Sequence, residues 1–430
     1  MQMKNKVKSE KGIMTMYVTI AVVTFTIILV ALFSLAVATR RNQIKTLIKI
    51  KEVYEQDNNK KEQIYMEQKK KIELPSTSDT TPYYPDDTFR KDSSTDLDTG
   101  LVIRDKNKNE YVWIEVPRSL YANSNYNTKT TTADQKPTSS TDYDKIEYCL
   151  HKYTDYYRRN KSGTLTSYTD TYYSNAVTGL TSTQYAELKQ KMLKSVYENG
   201  GFWIGRYEAG ITTKRTASGT PTVAPLSKPG TVENPVYPYT YVICSQAQTV
   251  ANMLTTNDYT SSLMFGVQWD LVMKHIEIKE VAKGTALETI QSALRSNSKE
   301  WGNYYNASFE INRGKYTKNG TLNTWHNYNI ASTGSVTYAN GISKKVSTSS
   351  SNSILLTTGA SYTCRRMNIY DLAGNAGEWT LEYTSNFGSP CTSRGGEFGY
   401  DGAKTPASYR SGFSTAVNGI GYGFRISLYK

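Results

Sequence analysis

Near the C-terminus, residues 368–402 read "NIYDLAGNAGEWTLEYTSNFGSPCTSRGGEFGYDG". The stretch combines a Gly/Asn turn flanked by the carboxylates Asp371 and Glu378, a Trp, a lone Cys and the pair Gly395–Gly396 ahead of Glu397. Carboxylates on an irregular loop can hold a cation or a proton, and glycine pairs let backbone approach closely. Elsewhere chemistry-bearing residues are sparse. The four cysteines Cys149, Cys244, Cys364 and Cys391 form no C-x-x-C pair and no Cys/His metal spacing. His151, His275 and His326 are scattered. His151 stands two residues after Cys149, but no third group orients the pair and no oxyanion site lies nearby. A phosphate-binding glycine loop, a Ser-His-Asp set and paired glycosidase carboxylates cannot be argued from the sequence.

Short elements surround that stretch. "YVWIEVPRSL" (111–120) reads as a strand from its alternating apolar pattern. "STQYAELKQKMLKSVYENGG" has helical spacing with a glycine stop at Gly200–Gly201, and "FWIGRYEAGI" reads as a strand. "SQAQTVANML" and "FGVQWDLVMKHIEI" read as short helices, and the last hundred residues as short strands and loops. The fold class expected is α+β with much irregular structure.

At 430 residues the chain has room for one large domain plus an anchor. Its 35 Tyr stand against 10 Phe and 6 Trp, the composition of a recognition surface, where Tyr supplies contact area at low entropy cost. A net charge of +13 invites a nucleic-acid partner, but residues 1–74 hold 14 Lys and Arg against 7 Asp and Glu, over half of the excess. The basic residues therefore flank an apolar segment, as residues facing lipid headgroups do, and no nucleic-acid motif accompanies them. That segment, Gly12 to Thr39, carries no charge over 28 residues, more than the roughly 20 that span a bilayer and longer than a signal-peptide core. Basic residues on both sides leave its orientation open.

The start "KVKSEKGIMTMYVTIAVVTF" resembles a type IV prepilin: a basic leader (1–12), then a long apolar helix (13–39). The resemblance implies cleavage between Gly12 and Ile13, with membrane lipid or pilus subunits as partners of the helix. Tyr17 stands where that family usually has Glu. Residues 40–74 read as a helical stalk and 75–110 as a Pro/Ser/Thr/Asp-rich linker.

The ordered set "GGFWIGRYEAG", "GVQWDLVMKHIE", "WGNYYN", "NIYDLAGNAGEW", "RGGEF" and "GYGFRISL" resembles the formylglycine-generating enzyme (sulfatase-modifying factor) family, whose fold is a variant of the C-type lectin fold. It covers residues 111–430 with an insertion at about 121–195. The family's enzymes oxidise a sulfatase cysteine with copper held by two cysteines. Those positions fall on Tyr400 and Thr405, and Glu397 stands where the enzymes usually carry Ser. Oxygen donors replace thiolates poorly for Cu(I), so no copper and no oxidase activity are expected. The resemblance also implies a structural Ca2+ held by the Asp371 and Glu378 side chains and the Gly374 and Ala376 carbonyls. The alternative is an Asp/Asn turn bonding its own backbone. Cys364 and Cys391 bracket that loop and are expected to pair, leaving Cys149 with Cys244, although four cysteines allow three pairings.

The reading is a bacterial membrane or surface-filament protein with a cytoplasmic N-terminus and an extracellular C-terminal domain that binds a glycan or protein without catalysis. The alternatives are a divergent oxidase of the same family and a structural pilin-like component.

Overall fold

The computed structural model describes residues 2–69, 72–128, 143–330, 335–347, 349–386 and 388–430. Part of the expected insertion, 129–142, lies outside them. The chain divides into two compact units, Met1–Lys71 and Ile72–Lys430.

The first unit is one helix, Gln2–Lys69, of 68 residues, about 100 Å long at ~1.5 Å per residue. The Gly12–Ile13 bond lies inside it. Ile13–Lys49 is long and apolar enough to cross a membrane, and its side chains are exposed. The hydroxyls of Thr19, Thr24, Thr26 and Thr39 donate to the carbonyl four residues earlier at 2.8–2.9 Å, so these polar atoms need no water.

The second unit mixes helices with mostly antiparallel sheet. Its central sheet has six strands in the order Arg90–Lys91, Val102–Arg104, Glu110–Glu115, Gly201–Gly205, Ile426–Tyr429, Thr260–Leu263. An antiparallel sheet can leave one face to water, but here GFWIG is buried at every position, so both faces of this strand are covered. Trp113 packs edge-on to Trp203 at 5.0 Å in the middle of it. The expected linker is corrected here: residues 75–110 belong to this unit and supply its first two strands. Thr80 Oγ1 accepts from Trp113 Nε1 and donates to the Gly200 carbonyl, while Tyr83 O accepts from Trp203 Nε1. Phe89, Leu101, Val102 and Ile103 are buried. Pro, Ser and Asp without periodicity looked like a spacer because every partner is distant in sequence.

The helix Ser182–Asn199 follows the sequence signals. Thr181 and Gln184 form a capping box, and Gly200 ends the helix at φ +66°. The helix Gly266–Ala282 is capped from afar: Asp170 Oδ1 and Oδ2 accept from the Gly266 and Val267 N–H groups at 2.6 and 2.8 Å.

A second sheet carries the C-terminal motifs. Its path runs Arg410–Phe413, Cys391–Arg394, Gly377–Thr384, Tyr422–Phe424, the last pair parallel. The expected Cys364–Cys391 bridge is not formed: none of the four cysteines, all of them buried, is in a disulfide. The Cys244 thiol donates to the Thr380 carbonyl at 3.4 Å, beside the strand that pairs with Cys391. Cys391 and Cys244 are hydrogen-bond neighbours, whereas Cys364 lies by Ser361 and Asp371. Neither of the expected disulfides, Cys364–Cys391 and Cys149–Cys244, is formed.

Candidate functional site

Two carboxylate sites emerge from the C-terminal stretch. The first is the loop Asp371–Glu378. Asp371 (φ +58°) and Gly374 (φ +73°) curl the backbone so that Asp371 and Glu378 both point inward, each 1 % exposed. Glu208, from "RYEAG", joins them as a third buried carboxylate. The chain answers most of this charge itself. Arg425 donates to both Glu378 oxygens and to the carbonyls of Gly205 and Tyr370. Glu208 accepts from Ala376 N–H at 2.9 Å and Asn375 Nδ2 at 2.7 Å. Asp371 Oδ2 accepts from Gly359 N–H at 2.8 Å, while Oδ1 has no partner among the described residues. Burial pushes Asp371 up to about 7, and burial with the neighbouring Asp371 and Glu378 charges pushes Glu208 well up.

These residues do not fit the implied calcium cage. Calcium takes six to eight oxygens. Of the four side-chain oxygens carried by Asp371 and Glu378, three already accept hydrogen bonds. The Arg425 guanidinium occupies the cation's electrostatic role.

The second site is a pocket of ≈ 120 Å³ built where the family's cysteine positions fall. Gly395 (φ +83°) and Gly396 (φ +73°) turn the chain out of the strand Cys391–Arg394. A Cβ on Gly396 would meet the Thr405 carbonyl at 2.4 Å, so the pair is needed to bring Glu397 and Thr405 together. Glu397, Tyr400 and Thr405 all line the pocket. Thr405 Oγ1 donates to Asp401 O at 3.3 Å, and Tyr400 is 47 % exposed. The remaining walls include Tyr409, Phe413 and Tyr422. Tyr422 stacks on Trp379 (5.3 Å, 25°) and meets Phe413 edge-on (4.9 Å, 65°), while Trp379 Nε1 is held by Val242 O. Three mutually packed rings make a stiff wall.

Glu397, half-buried, differs from the buried acids Glu378 and Glu382 of this sheet. Among the described residues its carboxylate has neither a hydrogen bond nor an ion pair, and burial pushes it up to about 7. Gly421 leaves room for it: a Cβ there would lie 1.5 Å from Glu397 Oε2. Among the described residues the pocket lining holds no thiol, no imidazole and no Lys or Arg. Copper does not fit these oxygen donors.

Behind the pocket, Arg394 and Arg410 pair with Asp270 and Glu382 in a four-membered buried network. It pins the pocket strands to the helix Gly266–Ala282 through Asp270. A separate hollow of ≈ 240 Å³, which shares Tyr409 with the pocket, is lined by Arg159, Lys161, Arg295 and Lys404. A further cluster, Glu147, His151 and Asp170, brings ligand atoms within 4.8 Å of one another. Lys189 already donates to Glu147 at 2.6 Å, and both Asp170 oxygens cap a helix.

The structure therefore gathers Glu397, Tyr400 and Thr405 in one site and Asp371 and Glu378 in another. Sequence reasoning missed Glu208, Arg425, Tyr409, Phe413 and Tyr422. The one available signal was the density of aromatic residues after the glycine pair. Compared with known proteins, the chain matches no protein-family model and no curated protein.

Proposed function

We propose that this chain is a membrane-anchored binding protein of the bacterial surface whose C-terminal unit, a sulfatase-modifying-factor-like variant of the C-type lectin fold, is non-catalytic. The observation that carries this reading is the pocket at Glu397. It is concave, walled by stiff aromatic rings and holds a carboxylate unpaired among the described residues, as binding sites do, and none of its described hydroxyls is hydrogen-bonded to that carboxylate. The anchor is supported by Ile13–Lys49, whose row of exposed apolar side chains needs lipid or a partner helix around it.

The test uses the full chain in detergent micelles on glycan and peptide arrays, beside Ser411→Phe, which places a ring inside the pocket. Binding that the variant loses is the expected result, with a sulfatase-derived cysteine peptide left unoxidised by both proteins. Formylglycine formed from that peptide would replace this reading with the divergent oxidase. Array binding that survives in the variant would move the site elsewhere.

A further inference from the structure

We infer that the Glu397 pocket takes a protonated amine carried on an aliphatic chain, either a free alkylammonium or a lysine side chain. The inference rests on the binding reading above and names the ligand's chemistry. Three observations carry it. The carboxylate of Glu397 is half-buried and has no donor or cation of this chain against it among the described residues, and buried charges in folded proteins are otherwise paired. The space facing it is bounded by Tyr400, Tyr409, Phe413 and Tyr422, and the faces of such rings attract a cation within about 6 Å, while their apolar surface accepts a methylene chain. Finally, ≈ 120 Å³ suits a compact head group of a few heavy atoms.

Neutral and anionic ligands fit less well. An anion would face an unanswered carboxylate with no cation in the lining. A neutral hydroxylated ligand would leave the charge uncompensated in a partly dehydrated site. An ammonium ion supplies up to three donors to Glu397 and lays its charge against the rings.

The pH dependence follows with a definite sign. Ligand binding needs ionised Glu397, which burial holds near 7 in the free protein. The other ionisable groups facing the pocket are the phenols Tyr400, Tyr409 and Tyr422. Burial raises Tyr400 and Tyr422 above the ordinary phenol value, so they stay neutral through this range. Affinity is therefore full above about pH 8 and about tenfold lower at pH 6.

Ligand-observed saturation-transfer NMR on the full chain in micelles tests this, with n-butylammonium and Nα-acetyl-lysine N-methylamide as probes and 1-butanol as the neutral control. At pH 8 at least one ammonium probe is expected to bind and butanol not. Glu397→Gln should weaken that binding by at least about tenfold, and Tyr400→Ala by about two- to fivefold. An unchanged melting curve for Glu397→Gln at pH 5 shows that it has folded. Tighter binding of the lysine derivative assigns the ligand to a protein side chain, and tighter binding of butylammonium assigns it to a free amine. Equal binding to the Gln variant, equal binding of butanol, or no binding of either ammonium overturns the inference. If array ligands still bind in a manner blocked by Ser411→Phe, only the ligand class falls and the binding reading stands.

Discussion

The two acidic motifs of the C-terminal sheet lie within 27 residues of each other and are finished in opposite ways. In "DLAGNAGEW" the carboxylates of Asp371 and Glu378, with Glu208, are sealed and, apart from Asp371 Oδ1, answered by Arg425, Asn375 and backbone N–H groups. In "RGGEF" the carboxylate of Glu397 opens into an aromatic pocket and meets no partner among the described residues. Internal pairing marks a group that holds the fold together. A buried charge left without a partner lowers stability, and a ligand would supply what is missing. Glycine serves both sites differently: Gly374 lets the loop pass the Asn303 carbonyl, and Gly421 clears space for a side chain.

The largest effect expected from this contrast is on the internally paired side. Arg425→Leu strands Glu378 beside Asp371 and Glu208, and removing one partner of a buried pair costs about 3–5 kcal/mol. The variant should lose most of its cooperative melting in circular dichroism at pH 8. A mild shift would mean that the cluster is protonated rather than held by Arg425. Calcium bears on the same cluster. With the guanidinium in the cation's place, added calcium or chelator should leave the melting temperature unchanged. A rise that Asp371→Ala abolishes would restore the calcium loop.

A smaller effect is expected from Gly421→Ala. The new methyl overlaps Glu397 Oε2, and overpacking of this kind costs about 1–3 kcal/mol unless the side chain swings away. Scanning calorimetry should show a modest loss of stability, together with weakened ammonium binding. Unaltered binding would show that the carboxylate's position is not what the pocket uses.

Parts of this contrast were legible in the sequence and parts were not. Local chemistry was legible: the capping box at Thr181–Gln184 and the stop at Gly200 announce a helix, and the charge-free run from Gly12 announces an apolar span. The carry-over of family positions onto Glu397, Tyr400 and Thr405 also named three residues that share one pocket. What stayed hidden depends on contacts distant in sequence. Asp170 caps a helix 96 residues away, Arg425 reaches back to Glu378, and residues 75–110 find their partners at Trp113, Trp203 and Gly200. The cysteines show the same limit: Cys391 neighbours Cys244 because the strand Gly377–Thr384 pairs with the strand of Cys391 and accepts from the Cys244 thiol at the start of the helix Cys244–Asn252, and no spacing encodes that packing.

The central claim, that Glu397 is kept unpaired for a ligand at a cost to the fold, is tested most directly by melting the wild-type chain and Glu397→Gln without ligand at pH 5 and pH 8. An acid whose folded value is raised to about 7 binds its proton more tightly folded than unfolded, so its charge lowers stability as pH rises from about 4.5 through 7. The gap between the two proteins should therefore be small at pH 5 and widen as pH rises, with the Gln variant more stable at pH 8 by on the order of 1 kcal/mol. A Gln variant that melts lower than wild type at pH 8 would contradict the account, because the carboxylate would then be holding the fold together.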